Sequence, residues 1–155
     1  MDEILLEEKG FVFTGFNALT ALEIGNYLTK KANELKLPIV IDVSSFQQCL
    51  YHFSAVGSTA NNEKFIRRKR NTVFLFSHST KWAAAKVKGD VPAMHQRYAT
   101  TDADYTILQG GFPIIVASMG LVGAICVSGL TEQEDHNIII EALDALKAGS
   151  PKLFV

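Results

Sequence analysis

Asp135 and His136 stand side by side near the start of a C-terminal helical pattern, a few residues after a Ser128-Gly129 turn. That spacing can aim backbone N–H groups, a carboxylate and an imidazole at one spot. The positive end of a helix disfavours an imidazolium, so His136 reads as a neutral ring. Such a ring can ligate a metal or haem iron, hydrogen-bond a substrate or take a proton. On an apolar stripe it can equally be a core histidine bonded to a strand carbonyl. Glu134 and Asp135 suit a helix start electrostatically and need no catalytic role, although Asp135 and His136 together also suit acid–base chemistry. Ser128-Gly129 exposes N–H groups able to hold an anion, or is simply a tight strand-to-helix turn. Gly110-Gly111-Phe112-Pro113 has the same double reading: close approach of backbone to a ligand or subunit, or a sharp entry into a strand. It is neither a Walker loop nor a GxGxxG fingerprint.

Lys69 lies among Phe65, Ile66 and Val73 on one helical face. An amine on an apolar stripe snorkels, pairs with a carboxylate or meets a ligand. Arg67, Arg68 and Arg70 point elsewhere around the helix and read as solvated or salt-bridging groups. His52, His78 and His95 show no ligand spacing with His136 or with one another, and no metal site is expected. Cys49 and Cys126 lie in strand-like contexts and read as small core residues.

The elements that must position these residues follow from period and punctuation. Asn17 can cap a helix to about Lys36, with Ala18, Leu22, Gly25, Leu28, Ala32 and Leu35 as its stripe. After Pro38, residues 39–43 read as a buried strand. Residues 49–55 read as its hairpin partner, with Cys49, Tyr51 and Phe53 on one face and Leu50, His52 and Ser54 on the other. Residues 60–77 have strand propensity at Thr72–Phe76, but their apolar residues follow the helical period and predict a helix. Short helices are expected over 80–88 and 92–98, and a short strand over 106–108. A hairpin of 112–118 and 121–128 turns at Met119-Gly120. Thr131 and Glu134 form a capping box that opens the last helix, which ends near Lys147. Hairpins separated by helices predict an α+β fold with an antiparallel sheet.

With 155 residues, 48% of them hydrophobic and a net charge of −1, the chain reads as a single domain, residues 1–155, with 1–16 as an N-terminal extension and 150–155 as a tail. The charge balance argues against nucleic acid as a partner. No apolar stretch is long enough to span a membrane, and no signal peptide is visible, so a cytoplasmic location is expected. Ten Phe add apolar surface that a subunit interface could cover.

Four blocks carry a resemblance: Gly57-Ser58-Thr59-Ala60-Asn61-Asn62; Ile66-Arg67-Arg68-Lys69; Gly110-Gly111-Phe112-Pro113-Ile114; and Val127-Ser128-Gly129-Leu130 followed by Asp135-His136. In that order they resemble the uncharacterised branch of the haem-degrading-domain-like superfamily, which includes GlcG-like and HbpS-type proteins. The resemblance implies a profilin-like, three-layer α/β/α fold around a central antiparallel sheet of about five strands. It also implies a homo-oligomer, a dimer or larger ring, that binds haem or another tetrapyrrole. Phe65 stands where that branch would have tryptophan, and Leu108-Gln109 where a histidine often precedes the glycines. The expected site takes a small planar or anionic ligand between sheet and helices. Lys69, Arg68 and Asn62 would meet its polar groups, and the backbones of Gly110, Gly111, Phe112 and Pro113 with Ser128 and Gly129 would form the floor. Asp135 and His136 would stand nearest any chemistry. Two other readings stay open: an oligomeric scaffold or protein-interaction partner without catalysis, and a small-molecule enzyme using Asp135 and His136.

Overall fold

Asn17 stops the chain from continuing its extended path by accepting hydrogen bonds from the N–H groups of Leu19 and Thr20, and the long helix of the first half begins there. The computed structural model describes all 155 residues, Met1–Val155. In chain order its elements are α1 (Asp2–Lys9), α2 (Ala18–Leu35), β1 (Val40–Ser45), β2 (Cys49–Ser54), α3 (Ala60–Phe76), α4 (Thr80–Lys86), α5 (Val91–Tyr98), β3 (Gly111–Val116), β4 (Gly120–Ser128) and α6 (Glu132–Gly149). A single turn of 3₁₀ helix, Pro151–Leu153, ends the chain.

The four strands form one antiparallel sheet in the order β2-β1-β4-β3. The fold class is therefore α+β as expected, with four strands rather than about five. The missing strand is 106–108, which makes no ladder. Its backbone is held instead by one side chain: the Thr72 hydroxyl donates to the Thr106 carbonyl at 2.7 Å and accepts from the Thr106 N–H at 3.2 Å.

Alternation along β1 sorts the two faces. Ile41 and Val43 join Ile125 and Val127 of β4 beneath α2 and α6, where Ile24, Leu28, Ile139 and Leu143 complete the larger core. Val40 faces the other way, with Ala124 and Cys126, against Ile66 and Val73 of α3. The sheet is thus covered on both faces, and α3 is a helix, as its apolar period predicted. Burial of Cys126 fits the core reading and pushes its thiol up to about 12.

Cys49 does not fit that reading, because it is exposed. The β1–β2 register slips between Val43 and Ser44: Val43 faces Tyr51, but Ser44 faces Cys49. Leu50 is the extra residue of this bulge. A bulge of one residue reverses the facing of everything beyond it. Cys49 therefore shares its face with His52, not with Tyr51 and Phe53.

Residues 1–16 and 150–155, expected as extension and tail, both contribute core side chains. Phe11, Phe13 and Phe154 are buried in the larger core, and the rings of Phe13 and Phe154 lie 4.6 Å apart. Phe13 also covers the outer edge of β3: its N–H donates to Ile115 O and its carbonyl accepts from Ala117 N. No helix of the molecule is long and apolar enough to cross a membrane.

Candidate functional site

Lys69 projects from the buried stripe of α3 toward the end of β4, and the turn after that strand brings Asp135 to meet it. Thr131 caps α6 by accepting from the Glu134 N–H, and Glu134 returns the bond to the Thr131 N–H. This capping box sets Asp135 at the inner side of the first turn. Lys69 Nζ donates to Asp135 Oδ2 at 3.1 Å and to the Val127 carbonyl at 2.8 Å. Only 3% and 4% of the two side chains is exposed, so water screens the pair weakly. Asp135 Oδ1 accepts from the Leu130 N–H at 3.0 Å. Burial nevertheless raises the Asp135 pKa above its ordinary value, outweighing the opposing pull of Lys69 and of this N–H group.

Gly110 sits directly behind this pair. Its φ is +121°, and a Cβ there would lie 2.4 Å from Val127 O and 2.6 Å from Lys69 Nζ. Only glycine can both adopt that conformation and leave the ion pair its space.

A cleft of about 150 Å³ opens above the pair. Asn62, Lys69, Ser128, Gly129, Glu132 and Asp135 supply its polar lining, and Phe65, Leu108 and Leu130 its apolar wall. Asn62 accepts at the start of α3 through Oδ1, which leaves its amide NH₂ free. Ser128 is buried on the same wall, and its hydroxyl has no protein partner. An ammonium group has three N–H donors, and Lys69 uses two.

Of the residues expected to form a site, Asn62, Lys69, Ser128, Gly129 and Asp135 meet at this cleft, and Gly110 packs beneath it. The others do not. Gly111 donates its N–H to Thr80 Oγ1, and Pro113 is buried in β3 opposite Ala124. Phe112 packs into the larger core, 6.0 Å between ring centres from His136. Arg68 lies over the Phe65 ring and donates to the Tyr105 carbonyl. His136 is wholly buried, with Nε2 bonded to Glu7 Oε1 of α1 at 2.6 Å and Nδ1 unpartnered. Successive helical residues point about 100° apart. Asp135 therefore faces Lys69 while His136 faces Glu7, and the fold does not bring the two side chains to one spot. Phe65, Leu108, Leu130 and Glu132 were missed as lining residues. Phe65 was within reach of sequence reasoning, since Asn62, Phe65 and Lys69 fall on one helical face at i, i+3 and i+7.

The cleft lacks the room and the ligands that an enclosed haem requires. At about 150 Å³ it is smaller than the ~300–1,000 Å³ usual for small-molecule pockets. Its lining holds no imidazole, thiolate, thioether or phenol to ligate iron, and its one amine is already held by Asp135 and Val127. These residues do not fit an enclosed, axially ligated haem.

Comparison with known proteins places this geometry in a family context. The model of a family described as haem degrading protein HbpS-like matches residues 16–144. A UPF0303 protein of Rhizobium meliloti is 35% identical over 143 residues, covering 92% of this chain and 87% of the relative. Among solved structures, the Ybr137w protein superposes with a TM-score of 0.87 at 25% identity, covering 97% of this chain and 88% of the other. A complex of PduOC with haem superposes with a TM-score of 0.68 at 16% identity, covering 86% of this chain and 95% of the other. At that identity the likeness is one of fold.

Proposed function

The chain belongs to the HbpS-like family of haem-degrading proteins, and on that premise we propose that it binds a small polar ligand in the cleft above Lys69 and Asp135 and assembles with copies of itself. The observation that carries the reading is the set of polar groups on the cleft wall without protein partners: the Ser128 hydroxyl, the Asn62 amide NH₂ and the third N–H of Lys69. These groups open onto the cleft rather than being sealed from water, so a ligand that completes their hydrogen bonds takes the place of solvent there.

The charge balance refines the ligand. The carboxylate foreseen for Lys69 is supplied by the protein's own Asp135, and Glu132 adds a second acid to the lining. An anion is not favoured there. A neutral molecule with neighbouring hydroxyl or amide groups, and one flat apolar side against Phe65 and Leu108, suits both walls. The family description and the PduOC complex both name haem, but this cleft offers its iron no ligand. Self-assembly draws support from the unpaired outer edge of β2 and from the exposed side chains of Phe46 and Val56 near it.

The test is a titration of isotope-labelled protein with a polyol, a short amide, acetate and haem, followed by NMR, with light scattering for mass. The polyol or amide shifts the Asn62 side-chain and Ser128-Gly129 backbone resonances, acetate does not, and Ser128→Val removes the effect. Haem gives no axially ligated Soret band. If no probe moves these resonances while the protein still forms a defined assembly, the scaffold reading replaces the ligand-binding one.

A further inference from the structure

On the α3 face of the sheet, away from the cleft, three potential ligand atoms converge on one point. Asp42 Oδ2 lies 2.8 Å from His52 Nδ1 and 3.5 Å from Cys49 Sγ, and all three atoms lie within 4.8 Å of one another. We propose that Asp42, Cys49 and His52 form a binding site for a divalent cation of the zinc class, with a fourth coordination position open to solvent or to a ligand.

Three features argue for a built site. The first is spacing. Tetrahedral zinc with Zn–S of about 2.3 Å and Zn–O of about 2.1 Å holds its sulfur and oxygen ligands roughly 3.6 Å apart. The Cys49–Asp42 separation of 3.5 Å already matches this. His52 needs to draw back by only about 0.6 Å from its hydrogen-bonding distance, since zinc sets N and O ligands roughly 3.4 Å apart.

The second is orientation. Asp42 is almost fully buried, and its other oxygen, Oδ1, is held by the Ser44 hydroxyl at 2.6 Å and Arg70 Nη1 at 3.2 Å. Oδ2 is thereby aimed at Cys49 and His52. His52 Nε2 bonds Glu63 Oε1 at 3.0 Å, which leaves Nδ1 as the nitrogen facing the site. A carboxylate on the far nitrogen of a ligating histidine is the usual outer-shell support of a zinc site.

The third is charge. Asp42 and Glu63 contribute two negative charges and Arg70 one positive charge; burial and Asp42 push the Cys49 thiol up, and its thiolate, formed as a cation displaces the proton, brings a third negative charge. The balance of two negative charges neutralises a divalent cation. The bulge at Leu50 is what assembles this set, because without it Cys49 would project from the opposite face.

The experiment is a cobalt(II) titration of the reduced full-length chain, with zinc competition and thermal melts. One cobalt per chain, with a thiolate-to-cobalt charge-transfer band that zinc abolishes, is the expected result. Cys49→Ser, a change at an exposed position, removes the band, whereas Cys126→Ser keeps it. His52→Ala weakens cobalt binding at least tenfold. Glu63→Gln weakens it by about 10–100-fold but keeps the band, as expected of a positioning residue. Zinc raises the melting temperature of the parent protein and not that of Cys49→Ser. Absence of the band from folded parent protein, or its survival in Cys49→Ser, overturns the proposal.

Discussion

Lys69 is the residue whose sequence context and structural role agree most closely. An ammonium among Phe65, Ile66 and Val73 had to find a partner, and it found a carboxylate and a carbonyl. What the stripe could not name was the partner, because Asp135 lies 66 residues further along. Such a pair contributes little net stability, since both ions lose their water, but breaking it leaves a buried charge unanswered. Lys69→Met should therefore destabilise the protein by about 3–5 kcal/mol. Adding Asp135→Asn should recover part of that loss, so that the two changes are strongly non-additive. Urea denaturation of the single and double variants measures this, and a double variant no more stable than Lys69→Met would remove the ion-pair explanation. His136 was legible only as far as its burial. Its actual partner, Glu7, is 129 residues away and belongs to a segment that carries no obvious signal of contact.

Capping decided most of the elements, and capping is a local property. Asn17, Thr59 and Thr131 each open a helix through reciprocal side-chain bonds, and the caps at Asn17 and Thr131 are legible in the residue types alone. The misread elements were those whose backbone is satisfied from a distance. Residues 106–108 look like a strand, but the Thr72 hydroxyl takes the bonds a ladder would have made. The bulge at Leu50 leaves no mark in the composition of β2 and yet turns Cys49 over. The contact between α1 and α6 through Glu7 and His136 gives a prediction at this scale. Partial burial works against the charge of Glu7, but the hydrogen bond and charge of His136 outweigh it and hold its pKa below the ordinary 4.5. As pH falls below about 5 the unfolded chain takes up this proton before the folded one, so this part of the stability is present at neutral pH and lost on acidification. Glu7→Gln should flatten the loss of stability between about pH 5 and pH 3, with the two proteins converging at the acid end. Urea midpoints across that range read it directly, and a variant as acid-sensitive as the parent would show that the contact carries no linkage.

At the scale of the molecule, the two chain ends close the larger core together. Phe154 is only 6% exposed and lies against Phe11 and Phe13, while Val155 N–H bonds Val12 O. Phe154→Ala should cost about 3–5 kcal/mol, as for other buried aromatic truncations. Lys152→Ala, on the exposed side of the same turn, should be close to neutral. An unchanged urea midpoint for Phe154→Ala would place the tail outside the core. The residue order alone settled five of the six helices, the two hairpins, the α+β class and the resemblance to the haem-degrading-domain-like superfamily, because period, caps and turns act within a few neighbouring residues, whereas α1 lay in what read as an extension. Only the folded chain decided that Lys69 meets Asp135 while His136 meets Glu7, that the elbow glycine lies behind an ion pair, and that Asp42, Cys49 and His52 share a face. Those pairings depend on strand order and on a single slip in register, which bring together residues that local periodicity leaves independent.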